Sequence, residues 1–244
     1  MTQAVWLLTN DLEKSAENHY KPILPFLDKH ENVNRPGPGG QPRKSGLERA
    51  AMLKGHMRCM KTHQASDIFT EAFGGPAKFV VTMRNIKDTL VSLYFHFTNA
   101  VKRGNYSGTF SEFFELKKEF VFHNWFSKNL SWWEERDREN VLIVKYEEMK
   151  KDPRQEVLRL ADFLSVSPSE EKLDAILDLL VFDTMKSHMA KQKHPGPQSK
   201  HDVLMRKGAV GDWKNYFTEK EEEIVDKVLE ERLAGTGLSF EYGE

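Results

Sequence analysis

Short apolar runs alternate along this chain with longer segments in which apolar residues recur every three or four positions. The run at residues 77–84 (AKFVVTMR) follows a Gly-Gly-Pro turn, and residues 140–146 (NVLIVKY) form a second run. Apolar runs of this length that are bounded by turn residues are typical of buried β-strands. The pattern also predicts a third strand at residues 57–63 (MRCMKTH).

Helical periodicity fills the segments between and after these runs. Strands that alternate with helices favour an α/β fold with a parallel, doubly wound sheet. We therefore predict a single α/β domain over residues 1–244, with a surface loop at residues 34–46, where Pro and Gly are dense. The predicted helices cover residues 87–102, 110–122, 124–136, 153–163, 169–180 and 219–233, and residues 5–8 resemble the end of a further amphipathic helix.

Composition indicates the cellular compartment of the protein more clearly than it indicates the molecules that the protein binds. The chain carries 36 basic and 37 acidic side chains, so its overall charge attracts neither nucleic acid nor an anionic membrane, and any anion site must be local. No apolar run approaches about 18 residues, which argues against a transmembrane span. Cys59 is the single cysteine, and the first residues lack the pattern of a signal peptide. Both observations favour a reducing, cytoplasmic setting.

A basic residue stands where the first apolar run ends. In an open α/β sheet, ligands bind at the carboxyl ends of the strands, so we expect Arg84 to lie in that crevice. Ser92 lies about two helical turns further on, and it could share one anion with Arg84 if the helix runs past the crevice. The alternative is a surface ion pair at Arg84 and a neutral helix position at Ser92.

A second group of positive charges lies near the C-terminus, in residues 204–218 (LMRKGAVGDWKNYFT). It follows a loop rich in His, Pro and Lys at residues 190–200. Arg206 and Lys207 precede Gly208, and a flexible loop that joins guanidinium, ammonium and backbone N–H groups is suited to a phosphate. The alternative is a solvated basic turn.

The end of the third predicted strand presents Lys61 and His63 two residues apart, and therefore on the same side. Histidine is the natural general base near neutral pH, and Lys61 could hold an acceptor oxygen or a developing charge. A structural histidine is the alternative, because the chain contains 9 histidines.

Taken together, these segments resemble the cytosolic sulfotransferases that use 3′-phosphoadenosine-5′-phosphosulfate (PAPS). RNIKDTLVSLYFHF (residues 84–97) is similar to the family's 3′-phosphate motif, KTH (61–63) to its catalytic motif, and RKGAVGDWKNYFT (206–218) to its C-terminal signature. Their order also agrees, and residues 131–164 and LPFLD (24–28) resemble further family segments. The resemblance covers nearly the whole chain and implies a P-loop-NTPase-like sulfotransferase fold.

The resemblance also implies a reaction and a set of site residues. A sulfuryl group would pass in line from PAPS to a hydroxyl or amine of a small acceptor, such as a phenol, a steroid or an alcohol, without a metal. His63 would remove the acceptor's proton, with Lys61 and Phe26 in the acceptor pocket, and a loop at residues 190–209 would close over the nucleotide. The nucleotide would be held by Arg84, Ser92, Tyr146, Phe182, Met185, Met205, Arg206, Lys207 and Gly208.

One family element has no counterpart in this sequence. Family members carry a strand and a PKSGTTW-like loop around the 5′-phosphosulfate, whereas residues 1–11 resemble the helix that follows that loop. PRKSG (42–46) lacks the Thr-Thr-Trp continuation and follows a Pro- and Gly-rich loop, so we do not assign it this role. The chain from Met1 is therefore expected to transfer sulfuryl groups at least about a hundredfold more slowly than a form that carries the loop.

This difference keeps other interpretations open. The chain could be a non-catalytic protein that binds adenosine 3′,5′-bisphosphate or small phenols, or part of a longer natural product. A nucleotide kinase would need a Gly-rich loop ending in Lys-Ser/Thr and an acidic residue for magnesium, and the sequence shows neither.

Two smaller departures concern single positions. The family places a small hydroxyl residue two positions before the aromatic of its FDTMK-like segment, where this chain has Leu180. A homodimer motif of the family is matched by Lys214, Thr218 and Glu223, but Glu219 replaces its valine. A charge at the centre of a contact weakens the prediction of that dimer.

Overall fold

In the computed structural model, two parallel strands lie between layers of helices. The structure describes residues 1–9, 48, 59–99, 106–191 and 206–243. The elements in chain order are α1 Thr2–Thr9, a 3₁₀ helix Ser66–Gly74, β1 Phe79–Met83, α2 Ile86–Asn99, α3 Phe110–Glu134, β2 Val141–Lys145, α4 Tyr146–Lys151, α5 Pro153–Phe163, α6 Glu170–Leu180, α7 Phe182–Lys191, a 3₁₀ helix Asp212–Asn215 and α8 Glu219–Leu233.

The two strands pair in parallel. Phe79 lies opposite Val141, and Met83 lies opposite Lys145. Because parallel neighbours cannot be joined by a tight turn, the chain crosses from β1 to β2 through α2 and α3. Both predicted strands and the parallel arrangement are confirmed, and the carboxyl ends of both strands point to the same edge of the sheet.

Helices cover both faces of this sheet, as a doubly wound fold requires. Val80 and Leu142 pack on one face against an apolar cluster formed by α1, α5 and α6. Val81 and Met83 point to the other face, where Trp132 of α3 belongs to the same cluster. Packing against apolar clusters on both faces thus explains the largely apolar pattern of β1, in which the one polar residue, Thr82, is exposed.

The predicted break at position 123 is wrong, because α3 is one continuous helix. It begins at a capping box in which Thr109 and Glu112 exchange hydrogen bonds. No Gly or Pro interrupts it, and the Asn124 side chain donates to the Phe120 carbonyl oxygen at 2.7 Å, one turn back along the helix. No helix in the described ranges is both long and apolar enough to cross a membrane.

The third predicted strand, residues 57–63, is also wrong for the part that is described. Residues 57–58 lie outside the described residues, and residues 59–63 contain only an isolated bridge at Lys61. Met60 is 45% exposed, so this segment lacks the two-sided burial that holds β1 and β2 in the sheet. The predicted loop at residues 190–209 starts too early as well, since α7 continues to Lys191.

Candidate active site

The two strands deliver side chains to one edge of the sheet, where Arg84 directly follows β1 and Tyr146 directly follows β2. The Arg84 guanidinium carbon lies 4.3 Å from the centroid of the Tyr146 ring. This distance is typical of a cation–π contact. One side of the crevice at the carboxyl ends of the strands is therefore formed by the Arg84 guanidinium, which stacks on the Tyr146 ring.

Arg84 also contacts the C-terminal part of the chain. Its Nη2 donates to the Ala209 carbonyl oxygen at 3.0 Å and lies 3.5 Å from Asp88 Oδ2. The ion pair considered as an alternative for Arg84 is thus real, but it lies in the crevice rather than on an outer surface. Arg84 Nε is buried and has no hydrogen-bond partner among the residues that the structure describes.

The basic loop, which we define as residues 206–209, faces Arg84 across the crevice. Arg206 stacks on Phe95, with its guanidinium carbon 4.4 Å from the ring centroid, and Nη1 donates to the Tyr216 hydroxyl at 3.2 Å. Both Arg206 and Lys207 form ion pairs with Asp212, and Lys207 Nζ lies 2.6 Å from Asp212 Oδ1. Asp212 therefore holds both positive charges of the loop in place, although the Lys207 side chain is 49% exposed.

Asp212 is a buried carboxylate with several donors. Burial by itself would raise its pKa, but hydrogen bonds from Lys207, Arg206 and Asn215 outweigh burial and hold the pKa below its ordinary value of 3.8. Asp212 is therefore ionised at neutral pH and organises the two cations beside it.

Gly208 lies against an aromatic ring that belongs to the same crevice. Its φ is +67°, and a Cβ atom built on it would lie 2.2 Å from Cδ2 of Phe182. Such an approach is open only to glycine, both because of the left-handed backbone and because of the contact. The glycine of the basic loop thus lets the Phe182 ring pack directly on the backbone.

These elements enclose a cavity of about 480 Å³. Every described member of the nucleotide set predicted from the sequence lines it, and Met205 lies outside the described residues. Those lining members are Arg84, Ser92, Tyr146, Phe182, Met185, Arg206, Lys207 and Gly208. The lining also contains residues that sequence reasoning missed: Asp88, Thr89, Leu93, Phe95, His96 and Ala209.

Two of the six missed residues carried a signal in the sequence. Positions 88, 92 and 96 follow Arg84 at intervals of four, which places them on one face of α2. Once Arg84 and Ser92 were assigned to the crevice, Asp88 and His96 could have been assigned with them. The contribution of Phe95 could not be read in this way, because it depends on where the basic loop packs.

The chemistry of the cavity fits an anionic nucleotide. Arg84, Arg206 and Lys207 bring three positive charges, and Ser92 adds a hydroxyl group. Part of the charge is balanced by one carboxylate of the lining, Asp88, and by Asp212, which pairs with the basic loop. Tyr146 and Phe182 add aromatic faces on which a base can stack. Burial raises the pKa of the Tyr146 phenol, so this ring stays neutral. Such a cavity can bind phosphate at one place and a flat ring at another.

The predicted acceptor residues lie elsewhere. Lys61 is half-buried and His63 is exposed, and neither belongs to the lining of the cavity. The segment that follows them is fixed on α3, because Trp132 Nε1 donates to the Gln64 carbonyl oxygen at 3.0 Å. Ser66 is also bonded to Ser131 of α3. Phe26 lies outside the described residues.

Leu180, which replaces a hydroxyl residue of the family pattern, has an apolar role here. It ends α6 and packs against the cluster that contains Leu173 and Ile176. A polar side chain would give up this contact, so the departure from the family pattern has a packing reason.

Comparison with known proteins agrees with this architecture. The model of the sulfotransferase domain family matches residues 1–237. Sulfotransferase 1C2 of Rattus norvegicus is 33% identical over 206 residues, which cover 82% of this chain and 69% of that protein. Sulfotransferase 1B1 of Mus musculus is 36% identical over 190 residues, which cover 75% of this chain and 63% of that protein.

Among solved structures, the crystal structure of mouse sulfotransferase SULT7A1 complexed with PAP is similar. It superposes with a TM-score of 0.70 at 26% sequence identity, covering 96% of this chain and 80% of that chain. The chain therefore belongs to the sulfotransferase domain family, and the family and fold predicted from its motifs are confirmed.

Proposed function

We propose that this protein transfers the sulfuryl group of PAPS to a hydroxyl or amine of a small-molecule acceptor. One observation carries the proposal: two segments separated by more than a hundred residues, around Arg84 and Arg206, bring their positive charges to the same cavity as Tyr146 and Phe182. The mouse relative complexed with PAP, the nucleotide that remains when PAPS loses its sulfuryl group, supports the same assignment.

In this proposal, the basic loop and the start of α2 hold the 3′-phosphate. Arg84, Arg206 and Lys207 donate charge-assisted hydrogen bonds, and the Ser92 hydroxyl and the backbone of Gly208 complete the group. Asp212 would give up part of its contacts with Arg206 and Lys207 to the incoming phosphate, since both cations already point into the cavity. Phe182, Tyr146 and Met185 provide the surface for the adenosine.

His63 is proposed to act on the acceptor side. The acceptor oxygen or nitrogen attacks sulfur, the bond between sulfur and the bridging oxygen breaks, and the leaving phosphate keeps the electron pair. His63 takes the proton that the acceptor loses, and Lys61 stabilises charge beside it. This role rests on the KTH motif and on the fixed position of residues 64–66 on α3, which holds the preceding histidine at one place on the surface.

The acceptor class is proposed from the family alone. Phenols, steroids and aliphatic alcohols all offer the hydroxyl group that the reaction needs. A panel that contains each class is therefore part of the test. Function in a reducing, cytoplasmic setting is proposed as well, because Cys59 is the single cysteine of the chain.

A homodimer through residues 214–223 remains part of the proposal. Lys214, Thr218, Glu219 and Glu223 are all exposed, as a contact surface requires. Thr218 has a second task, since it caps α8. Sedimentation equilibrium on the unmodified chain and on Glu219→Val tests the dimer: association should strengthen in the variant, and a monomer in both samples would exclude this contact.

A transfer assay with labelled PAPS and a panel of phenols, steroids and alcohols tests the proposed reaction. Label in an acceptor is the expected result. Binding of adenosine 3′,5′-bisphosphate without transfer to any acceptor would favour the non-catalytic alternative. Absence of both binding and transfer would contradict the proposed function.

A further inference from the structure

Asp88 joins the start of α2 to the C-terminal segment. Its carboxylate is buried, with 1% of its surface exposed. Oδ2 accepts from the Gly211 N–H at 3.0 Å, and Oδ1 accepts from the Trp213 N–H at 3.1 Å. These donors lie 123 and 125 positions further along the chain, so the two hydrogen bonds hold the C-terminal segment against α2.

The position of the basic loop depends on these contacts. Gly211 follows the basic loop by two residues and has φ of +85°, and a Cβ on it would lie 3.1 Å from the Gly243 Cα. The segment therefore turns tightly between Ala209 and Trp213. Ala209, at the end of the basic loop, accepts the hydrogen bond from Arg84. Anchoring Gly211 and Trp213 thus sets how residues 206–209 face Arg84.

Asp88 is in turn held by neighbours at the ends of the two strands. Asn85, which precedes α2, donates from Nδ2 to Asp88 Oδ2 at 3.0 Å and accepts from the Asp88 N–H at 2.7 Å. Glu147, near the start of α4, accepts from both the backbone N–H and the side chain of Asn85. The carboxylate therefore belongs to a buried network that spans the carboxyl ends of β1 and β2.

A negative charge in the lining of an anion site has an electrostatic cost. Asp88 reduces the net positive charge of the cavity, because it lies in the lining and 3.5 Å from the Arg84 guanidinium. If attraction of phosphate were all that mattered, an uncharged residue would serve better at this position. A neutral side chain could not accept both hydrogen bonds from the Gly211 and Trp213 amides, for which the carboxylate uses its two oxygens.

We infer that Asp88 is a positioning residue for the phosphate site: it holds the basic loop in the arrangement that discriminates a nucleotide with a 3′-phosphate from one without it. The inference rests on the proposed function, because it assigns the cavity to such a nucleotide. It adds a requirement that is independent of charge attraction, namely that the loop is fixed before the ligand arrives.

Asp88→Asn tests the inference, because asparagine keeps the size of the side chain but directs an NH₂ group at a backbone donor. Affinities for adenosine 3′,5′-bisphosphate and adenosine 5′-monophosphate are measured by calorimetry at matched folded concentration. We expect the variant to lose about tenfold to a hundredfold in affinity for the bisphosphate. Affinity for the monophosphate should change by less than about threefold, as for a contact outside the shared part of the ligand.

Asp174→Asn is the matched control. It removes the same charge from an exposed carboxylate that pairs with Arg154 outside the cavity. Both affinities should be unchanged in this control. Tighter binding of the bisphosphate to Asp88→Asn would overturn the inference, since it would identify Asp88 as a competing charge, and an equal loss for both nucleotides would do so as well. Equal affinity of the unmodified protein for both nucleotides would instead refute the proposed site itself.

Hydrogen exchange in the unmodified protein gives a second test, which does not depend on whether the Asp88→Asn variant folds. The Gly211 and Trp213 amide protons should exchange at least about a hundredfold more slowly than unprotected amides in the absence of nucleotide. Exchange of either proton at the unprotected rate would show that the loop is not fixed in advance, and would overturn the inference.

Discussion

Gly208 and Phe182 are in direct contact, the backbone of the first lying on the ring of the second. The two residues come from the basic loop and from the first position of α7, and both line the cavity. A side chain at position 208 would occupy the space of the ring. This contact therefore links the phosphate end of the cavity to its aromatic wall.

Gly208→Ala is expected to weaken nucleotide binding by displacing the Phe182 ring. Loss of stacking on one aromatic face costs about 1 to 3 kcal/mol per base. Gly235→Ala is the control, because Gly235 has φ of +74° but nothing within 4 Å of its added Cβ. Both variants carry a similar backbone strain, so calorimetry should show weaker binding only for Gly208→Ala. Equal nucleotide affinity in the two variants would show that the Phe182 ring does not contribute to nucleotide binding.

Arg206→Ala should cost about 1.5 to 3 kcal/mol of binding free energy for adenosine 3′,5′-bisphosphate, as for a lost hydrogen bond to a charged group. Arg154→Ala is the control, since Arg154 is likewise ion-paired, with Glu170 and Asp174, but lies outside the cavity. Calorimetry on both variants decides the assignment. Unchanged affinity in Arg206→Ala would remove this residue from the phosphate site.

Asp212→Asn should lower the free energy of unfolding by about 1 to 3 kcal/mol at pH 7, because Arg206 and Lys207 lose their charged partner. The pKa of Asp212 is lower in the folded protein than its ordinary value of 3.8. Its stabilisation is therefore complete above the ordinary value and is lost as the pH falls through the folded-state value.

Denaturant titrations at several pH values measure this effect. The difference between the unmodified protein and Asp212→Asn should shrink as the pH falls below 3.8. Asp137→Asn serves as the control, because that side chain is 84% exposed and should have little effect at any pH. A difference that stays constant with pH would show that the charge of Asp212 is not what stabilises the loop.

His63→Ala should lower turnover by about 10² to 10⁴, the usual range for removal of a general base. The measurement is made in a form of the protein that transfers sulfuryl groups, with nucleotide affinity determined in parallel. His123→Ala, an exposed histidine on α3, is the control and should keep full turnover. If His63→Ala keeps more than about a third of the turnover while nucleotide affinity is unchanged, His63 is not the base.

The sequence predicted the parts of the fold that depend on local patterns. β1 and β2 were predictable because apolar clusters pack on both faces of the sheet, and the strands therefore read as largely apolar runs. Arg84 was placed correctly at the crevice because it follows directly after β1. The helices α5 and α8 were predicted with their observed bounds, each preceded by a residue that caps it, Asp152 and Thr218.

What the sequence could not predict depends on contacts between distant segments. Asp88 looks like an ordinary polar residue in the first turn of a helix, and its role appears only when Gly211 and Trp213 are packed against it. Asp212 pairs with residues five and six positions before it, a spacing that no regular element imposes. The strand prediction was wrong for residues 59–63 because a strand forms only where other strands pair with it. The local sequence pattern does not specify such partners.

The cavity is proposed to recognise the 3′-phosphate of a nucleotide. Calorimetry of the unmodified protein with adenosine 3′,5′-bisphosphate and adenosine 5′-monophosphate tests this proposal most directly, because the two ligands share every group except that phosphate. With Arg84, Arg206 and Lys207 all facing the cavity, the bisphosphate should bind at least about tenfold more tightly, as for one additional charge-assisted hydrogen bond. Equal affinity for the two nucleotides would contradict the account.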